Sequence, residues 1–166
     1  SLGGLGRSAS PINFDGLTIG DVLKQHNQES KVVSVSIKDR AAILMAGQLG
    51  DAAYWFETAG GRFVTSSYYM DEAPMWLEEW NRSRMVNLRE ETVWNRLIDD
   101  DLWYQQYAGS DAVAGEWPKE DMVFPHRIPD LPPSDSFYEY VRRTPFADQI
   151  TLLTSLEAML AHDIGE

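Results

Sequence analysis

Residues 31–47, KVVSVSIKDRAAILMAG, carry the side chains of this 166-residue chain best suited to chemistry. Lys38 and Arg40 stand two positions apart, where a β-branched run gives way to a helical one. Arginine offers a planar fork that matches two oxygens of an oxyanion, and lysine offers a mobile point charge. In an open α/β sheet, ligands collect just beyond the carboxyl ends of strands. Two cations at such an edge suit phosphate, whose transfer depends on positioning and on stabilising charge spread over non-bridging oxygens. Spacing alone leaves a second outcome open, in which the pair lies in a solvated turn or forms ion pairs with Asp39 or Asp51.

Other reactive residue types are scattered. The histidines are His26, His126 and His162, and none belongs to an HxxxH or DxxxH pattern. They are read as structural or surface residues, and no metal ligand is assigned in this chain. The run Asp99-Asp100-Asp101 lacks the alternating oxygen ligands and the glycine of a calcium loop, so it reads as a solvated helix terminus. Ser8, Ser10, Ser34 and Ser36 have no His/Asp partners at recognisable spacing, so no hydrolase triad and no catalytic nucleophile is assigned. The GGLG near the start lacks the Lys-Ser/Thr of a phosphate-binding loop. There is no cysteine, which excludes disulfides, thiolate metal sites and a thiol nucleophile.

The elements that must position Lys38 and Arg40 are legible around them. Residues 15–27 predict a helix with Thr18 as N-cap and Ile19, Val22 and Leu23 on one apolar stripe. Residues 31–37 predict a buried strand, with Val33, Val35 and Ile37 on one face and Ser34 and Ser36 on the other. Asp39 is the expected cap of a helix over 40–46 that Gly47 ends. Residues 52–57 and 61–66 then predict a hairpin around the TAGG turn. Pro74 opens a helix, and helical spacing continues through Val86, Leu88, Val93, Trp94, Leu97 and Ile98. Residues 108–121 read as loop, and the four prolines of 125–133 exclude regular helix. Ser134 caps a short helix, and Thr144-Pro145 starts a last one carrying Ile150, Leu153, Leu156, Met159 and Leu160 on one side.

This order gives an α/β fold. The whole of 1–166 is expected to be one domain or part of one, with 1–73 and 134–166 core-like and 74–133 an insertion or cap. The start SLGGLGRSASP, without methionine, suggests a segment of something longer. The formal charge is −12, which disfavours a nucleic-acid polymer as partner because backbone binding needs a basic surface. Mean hydropathy is −0.35, and no apolar run approaches the ~20 residues of a membrane span. No basic start precedes an apolar leader. Six Trp, seven Tyr and six Phe keep a different class in view: a non-catalytic, acidic, aromatic-rich module for a glycan or protein partner.

The ordered segments TIGDVLK, KVVSVSIKDRAAILMAG, DAAYWFETAGGRFVTSSYYM, PMWLEEWN and TPFAD resemble the alkaline phosphatase superfamily. They are most similar to its bacterial branch of alkaline phosphatases and type I phosphodiesterases or nucleotide pyrophosphatases. The likeness covers most of the chain and is thinnest across 82–130. In that family a Lys and an Arg at the SIKDRAA step bind phosphoryl oxygens, roles that the resemblance puts on Lys38 and Arg40. It also implies a Thr or Ser nucleophile and two zinc ions held by Asp and His. Motifs for these are absent from this sequence, and Gln48 stands where many relatives have His. The implied picture is the middle of an exported or periplasmic hydrolase acting on a small phosphate ester. By itself the chain should be inactive, and an exposed sheet edge could make it dimerise.

Overall fold

The computed structural model describes residues 1–84, 93–99, 101–114, 122–128 and 133–165. Its contacts divide the chain into two units, residues 1–88 with 131–166, and residues 89–130.

In the larger unit a short 3-10 turn, Pro11–Asn13, precedes α1 (Ile19–His26), β1 (Val33–Ser36), α2 (Asp39–Ala46), β2 (Ala52–Glu57), β3 (Arg62–Val64) and α3 (Met75–Arg84). The smaller unit holds β4 (Val93–Trp94), α4 (Asp101–Tyr107) and β5 (His126–Arg127). The larger unit then closes with α5 (Asp135–Val141) and α6 (Pro145–Ala161).

Strands β1 and β2 run parallel, from Val33 opposite Ala52 to Ser36 opposite Trp55, and α2 is the crossover between them. Strand β3 returns antiparallel to β2 as the predicted hairpin. Strand residues alternate between faces, so Ser34 and Ser36 lie on the face of Ala53 and Trp55. There Ala42, Ile43 and Ala46 of α2 pack against Ala53, Trp55 and Val64. Ser34 is buried on this face, and its Oγ has no hydrogen-bond partner among the described residues. On the other face the Tyr54 ring meets Trp76 of α3 at 5.1 Å, and Phe56 meets Phe63 at 5.6 Å. Helix α6 packs along β1.

Helix α3 comes from the stretch set apart in the sequence as 74–133, and its first turns are part of the larger unit. Trp80 Nε1 donates to Thr154 Oγ1 at 2.8 Å. The Asn81 side chain accepts from Phe63 N and donates to Phe63 O, both at 2.8 Å. That amide satisfies the outer edge of β3 as a further strand would.

Helix α1 starts at Ile19 and not at residue 15, because a capping box ends the preceding chain. Thr18 Oγ1 accepts from Asp21 N, and Asp21 Oδ2 accepts from Thr18 N. Its apolar stripe faces outward: Ile19 is 90% exposed, and Val22 and Leu23 are also exposed. Gly20 and Asp21 face in instead. Gly20 permits the close approach, since an added Cβ would stand 2.6 Å from Val32 Cγ1. Asp21 tolerates burial because Thr18 N, Thr18 Oγ1 and Leu49 N all donate to it. Helix α6 repeats the pattern, with Ala147, Ile150, Thr154 and Ala158 buried and Leu156, Met159 and Leu160 exposed.

The glycine-rich start also has a structural occupant. Glu57, buried at the end of β2, accepts from Leu5 N at 2.7 Å and Gly6 N at 2.8 Å. The GGLG backbone therefore cradles an anion supplied by the chain itself.

Buried Tyr54 and half-buried His162, at the C-cap of α6, meet through the Tyr54 hydroxyl and His162 Nε2 at 2.8 Å. Burial pushes the Tyr54 hydroxyl up to about 12, so it stays protonated, and the tautomer of His162 sets which of the two donates. Burial also pulls the His162 imidazole below its ordinary value of 6.5, with Lys31 adding to the effect and Asp51 and Asp163 opposing it. The unfolded chain thus takes up this proton first as pH falls. We expect full stability from this pair above about pH 7, with a progressive loss as pH drops below about 6.5. Thermal midpoints at pH 7.5 and 5.5 should differ more in the native chain than in His162→Gln; equal differences would exclude His162 as the cause.

In the smaller unit the helical spacing predicted to run past residue 93 gives way to a strand. Val93 pairs with Arg127 and Trp94 with His126. A β-branched and an aromatic residue suit a pleated pair, and the Trp94 ring packs on Phe124 and His126. Residues 85–92 lie outside the described residues, as does Asp100. Asp101 opens α4 and pairs with Arg96, which also reaches Asp111 Oδ2 at 2.9 Å. Asp99 is exposed.

Candidate phosphate-binding site

Lys38 and Arg40 fall where the strand-to-helix junction was predicted, beyond the carboxyl end of β1. Lys38, not Asp39, is the N-cap of α2, with extended backbone at φ −124° and ψ 138°. Its carbonyl accepts the first helical bond, from Ala42 N at 3.1 Å. Arg40 is the second residue of the helix. Asp39 sits in the first turn, where a carboxylate complements the helix dipole, and its Oδ1 accepts from Arg40 N at 2.7 Å.

Both cations are exposed, and among the described residues neither forms an ion pair. Of the two partners that spacing left open for them, Asp39 accepts from the Arg40 backbone, and Asp51 is engaged elsewhere. Its Oδ1 lies 2.5 Å from Lys24 Nζ, and its Oδ2 accepts from Val32 N at 2.6 Å. Lys31, the other cation of the opening run, donates to the carbonyls of His162 at 2.7 Å and Asp163 at 3.2 Å, capping the end of α6. Among the described residues the side-chain donors of Lys38 and Arg40 are thus uncommitted, two positions apart at a helix start whose first amides have no intrahelical acceptor.

The scaffold beneath is held by polar contacts at the far end of α2. Gly47 ends the helix at φ +73°, and any Cβ there would fall 2.3 Å from Asp21 Oδ2. Tyr69 OH donates to Gly47 O at 2.8 Å, and Gln48 Nε2 donates to Phe14 O at 2.7 Å. Gln48 thereby braces the turn into β2.

The histidines lie on separate elements. His26 ends α1, His126 lies in β5 of the other unit, and His162 serves Tyr54. Among the described residues no three His, Asp or Glu side chains come together to hold a metal ion. Of the clustered aromatics, Tyr54, Trp55, Phe56 and Trp80 are core residues.

The chain is 34% identical over 163 residues to alkaline phosphatase PafA of Elizabethkingia meningoseptica, covering 94% of this chain and 29% of that protein. Alkaline phosphatase PhoV of Synechococcus elongatus is 32% identical over 95% of this chain and 28% of its own length. A protein of Myroides odoratus named as a calcium-transporting ATPase is 31% identical over 99% of this chain and 31% of its length. The crystal structure of wild-type PafA superposes with a TM-score of 0.69 and 32% identity, over 88% of this chain and 28% of PafA.

The chain belongs to the alkaline phosphatase superfamily. Its fold is a partial α/β fold of that family. It spans less than a third of the length of these relatives. A scan against family models gives no match. A further solved structure, with a TM-score of 0.68 and 30% identity, is a PafA variant with four substitutions. Those are a threonine, an asparagine, and a lysine and an arginine two positions apart, the last three changed to alanine.

Proposed function

We propose that this chain supplies the phosphate-binding cations of a longer, metal-dependent phosphate-ester hydrolase, a phosphomonoesterase or phosphodiesterase. The observation that carries the reading is the uncommitted Lys38–Arg40 pair at the carboxyl end of a parallel strand and the start of α2. The Lys-x-Arg spacing equals that of the lysine and arginine replaced in the PafA variant, which supports the assignment.

A phosphoryl group at this end would present non-bridging oxygens to both cations. Arg40 would take two of them through its fork, and Lys38 would neutralise a third as a point charge. The first amides of α2 add the positive end of the helix dipole. Because both side chains hang from the junction of a paired strand and a packed helix, their bases are fixed and only the side chains need order on binding. Charge that grows on these oxygens during displacement would be met by donors already in place.

The nucleophile and two zinc ions implied by the family resemblance would come from segments outside these 166 residues, which alone would be inactive. A small phosphate ester is the proposed substrate, and the periplasm the proposed location. Among the described residues no helix is long and apolar enough to cross a membrane. Among them too, β1 has no strand neighbour on its outer edge, so the chain in isolation would dimerise there. The test is kinetic: in the longer enzyme, Arg40→Ala should lower turnover far more than stability. Unchanged turnover would overturn the assignment.

A further inference from the structure

A polar cavity of about 320 Å³ opens in the larger unit, between the hairpin turn, α3 and α5. We propose that it binds a small hydroxylated organic anion, phosphate or carboxylate, gripped by Arg62 and Arg82 and oriented by Glu78. The volume lies at the lower end of the range for small-molecule sites.

The walls are fixed by contacts that leave its charged groups free. Gly61 turns at φ +60°, and a Cβ there would stand 2.0 Å from Tyr138 Cζ, so the tyrosine ring closes directly on the turn backbone. Asn81 also lines the cavity, but both ends of its amide are spent on Phe63, so it holds the wall rather than a ligand. Leu77 and Phe63 give the apolar floor.

The charged groups are differently placed. Among the described residues Arg62 makes a single bond, from Nη1 to Gly3 O at 3.3 Å, which leaves most of its fork unspent. Arg82 forms no ion pair among the described residues, although Glu78 precedes it by one helical turn. In a chain of charge −12, two arginines without carboxylate partners among the described residues, on one cavity, are an unusual use of cations. Two guanidinium forks match the oxygens of a phosphate or carboxylate. Glu78 would repel a bare dianion, but it accepts hydrogen bonds from a hydroxyl. A ligand with both groups satisfies all three side chains.

The experiment uses the 166-residue chain carrying Lys38→Ala and Arg40→Ala, which silences the site proposed above. Failure of that reading then leaves this test untouched. Glycerol 3-phosphate and methyl phosphate are titrated while backbone amide resonances are followed. Glycerol 3-phosphate should shift the amides of Gly60, Gly61 and Asn81 saturably. It should bind about tenfold more tightly than methyl phosphate, the worth of one charge-assisted hydrogen bond. Arg62→Ala with Arg82→Ala should abolish the shifts, and Glu78→Gln should remove the preference between the two probes. Arg82→Ala alone, at an exposed helix position, should weaken binding about tenfold if the double variant does not fold. Amides that stay still, or binding that survives loss of the arginines, would overturn the proposal.

Discussion

Replacing Lys38 and Arg40 together by alanine in the longer enzyme is expected to lower kcat/KM for a phosphate ester about a thousandfold, while the thermal midpoint hardly moves. Removing one donor from a charge-stabilising site typically costs about 10²–10³ in rate. Two donors acting on one phosphoryl group overlap in what they stabilise, so their losses should not multiply fully. A thousandfold corresponds to about 4 kcal/mol of transition-state stabilisation. Stability should change by only about 0.5 kcal/mol, because both side chains are exposed and unpaired, and α2 is held by Ala42, Ile43 and Ala46. Steady-state kinetics beside a melting curve separate the two effects. A fall in both together would make the pair structural.

The largest expected change in stability is at Asp21. Its carboxylate is buried, and it accepts from Thr18 N at 2.8 Å, Thr18 Oγ1 at 3.0 Å and Leu49 N at 2.7 Å. Burial works against the charge, but these donors outweigh it and hold the group below the usual carboxylate range. Asp21→Ala leaves three donors facing a gap and breaks the capping box of α1. Lost donors cost about 1–3 kcal/mol each at most, and a lost cap about 1. A total of about 4 kcal/mol, the sum of the lower ends, is expected, a large part of a domain's stability. Asp21→Asn keeps one acceptor oxygen and should lose less. Because the folded carboxyl is depressed, its contribution is present above about pH 4 and disappears as pH falls through the lower folded value. Urea unfolding of both variants at pH 7 measures this, and a loss below about 1 kcal/mol for Asp21→Ala would refute the account.

Asp21 also shows where sequence reading stops. Apolar spacing told which residues of α1 share a face, and Ile19, Val22 and Leu23 do. It did not tell which face meets the rest of the molecule. A glycine that allows close approach and an aspartate served by local donors decided that, and neither has an apolar signal. Trp80 and Thr154 are similar, since a hydrogen bond between distant helices leaves no local mark. Val93 and Trp94 carried helical spacing only as part of a longer run, and pairing with Arg127 and His126 overrode it.

The features that were legible are local. The Thr18 and Ser134 caps, the β1–α2 junction, the TAGG hairpin and Gly47 each rest on a few adjacent residues with strong backbone preferences. Lys38 and Arg40 were visible for the same reason, because an abrupt change from β-branched to helical spacing marks a strand end. That they are unpaired was not legible. It depends on Asp39 turning to the Arg40 amide and on Lys24 reaching Asp51 from 27 positions away.

Titration of inorganic phosphate into the 166-residue chain, read at the amides of Asp39, Arg40 and Ala41, tests the central claim most directly. The chain should carry Arg62→Ala and Arg82→Ala to exclude the polar cavity. Saturable shifts at those three amides are predicted, lost when Lys38→Ala and Arg40→Ala are added. Amides that do not move, or that move equally without the two cations, would contradict the assignment of Lys38 and Arg40 to phosphate.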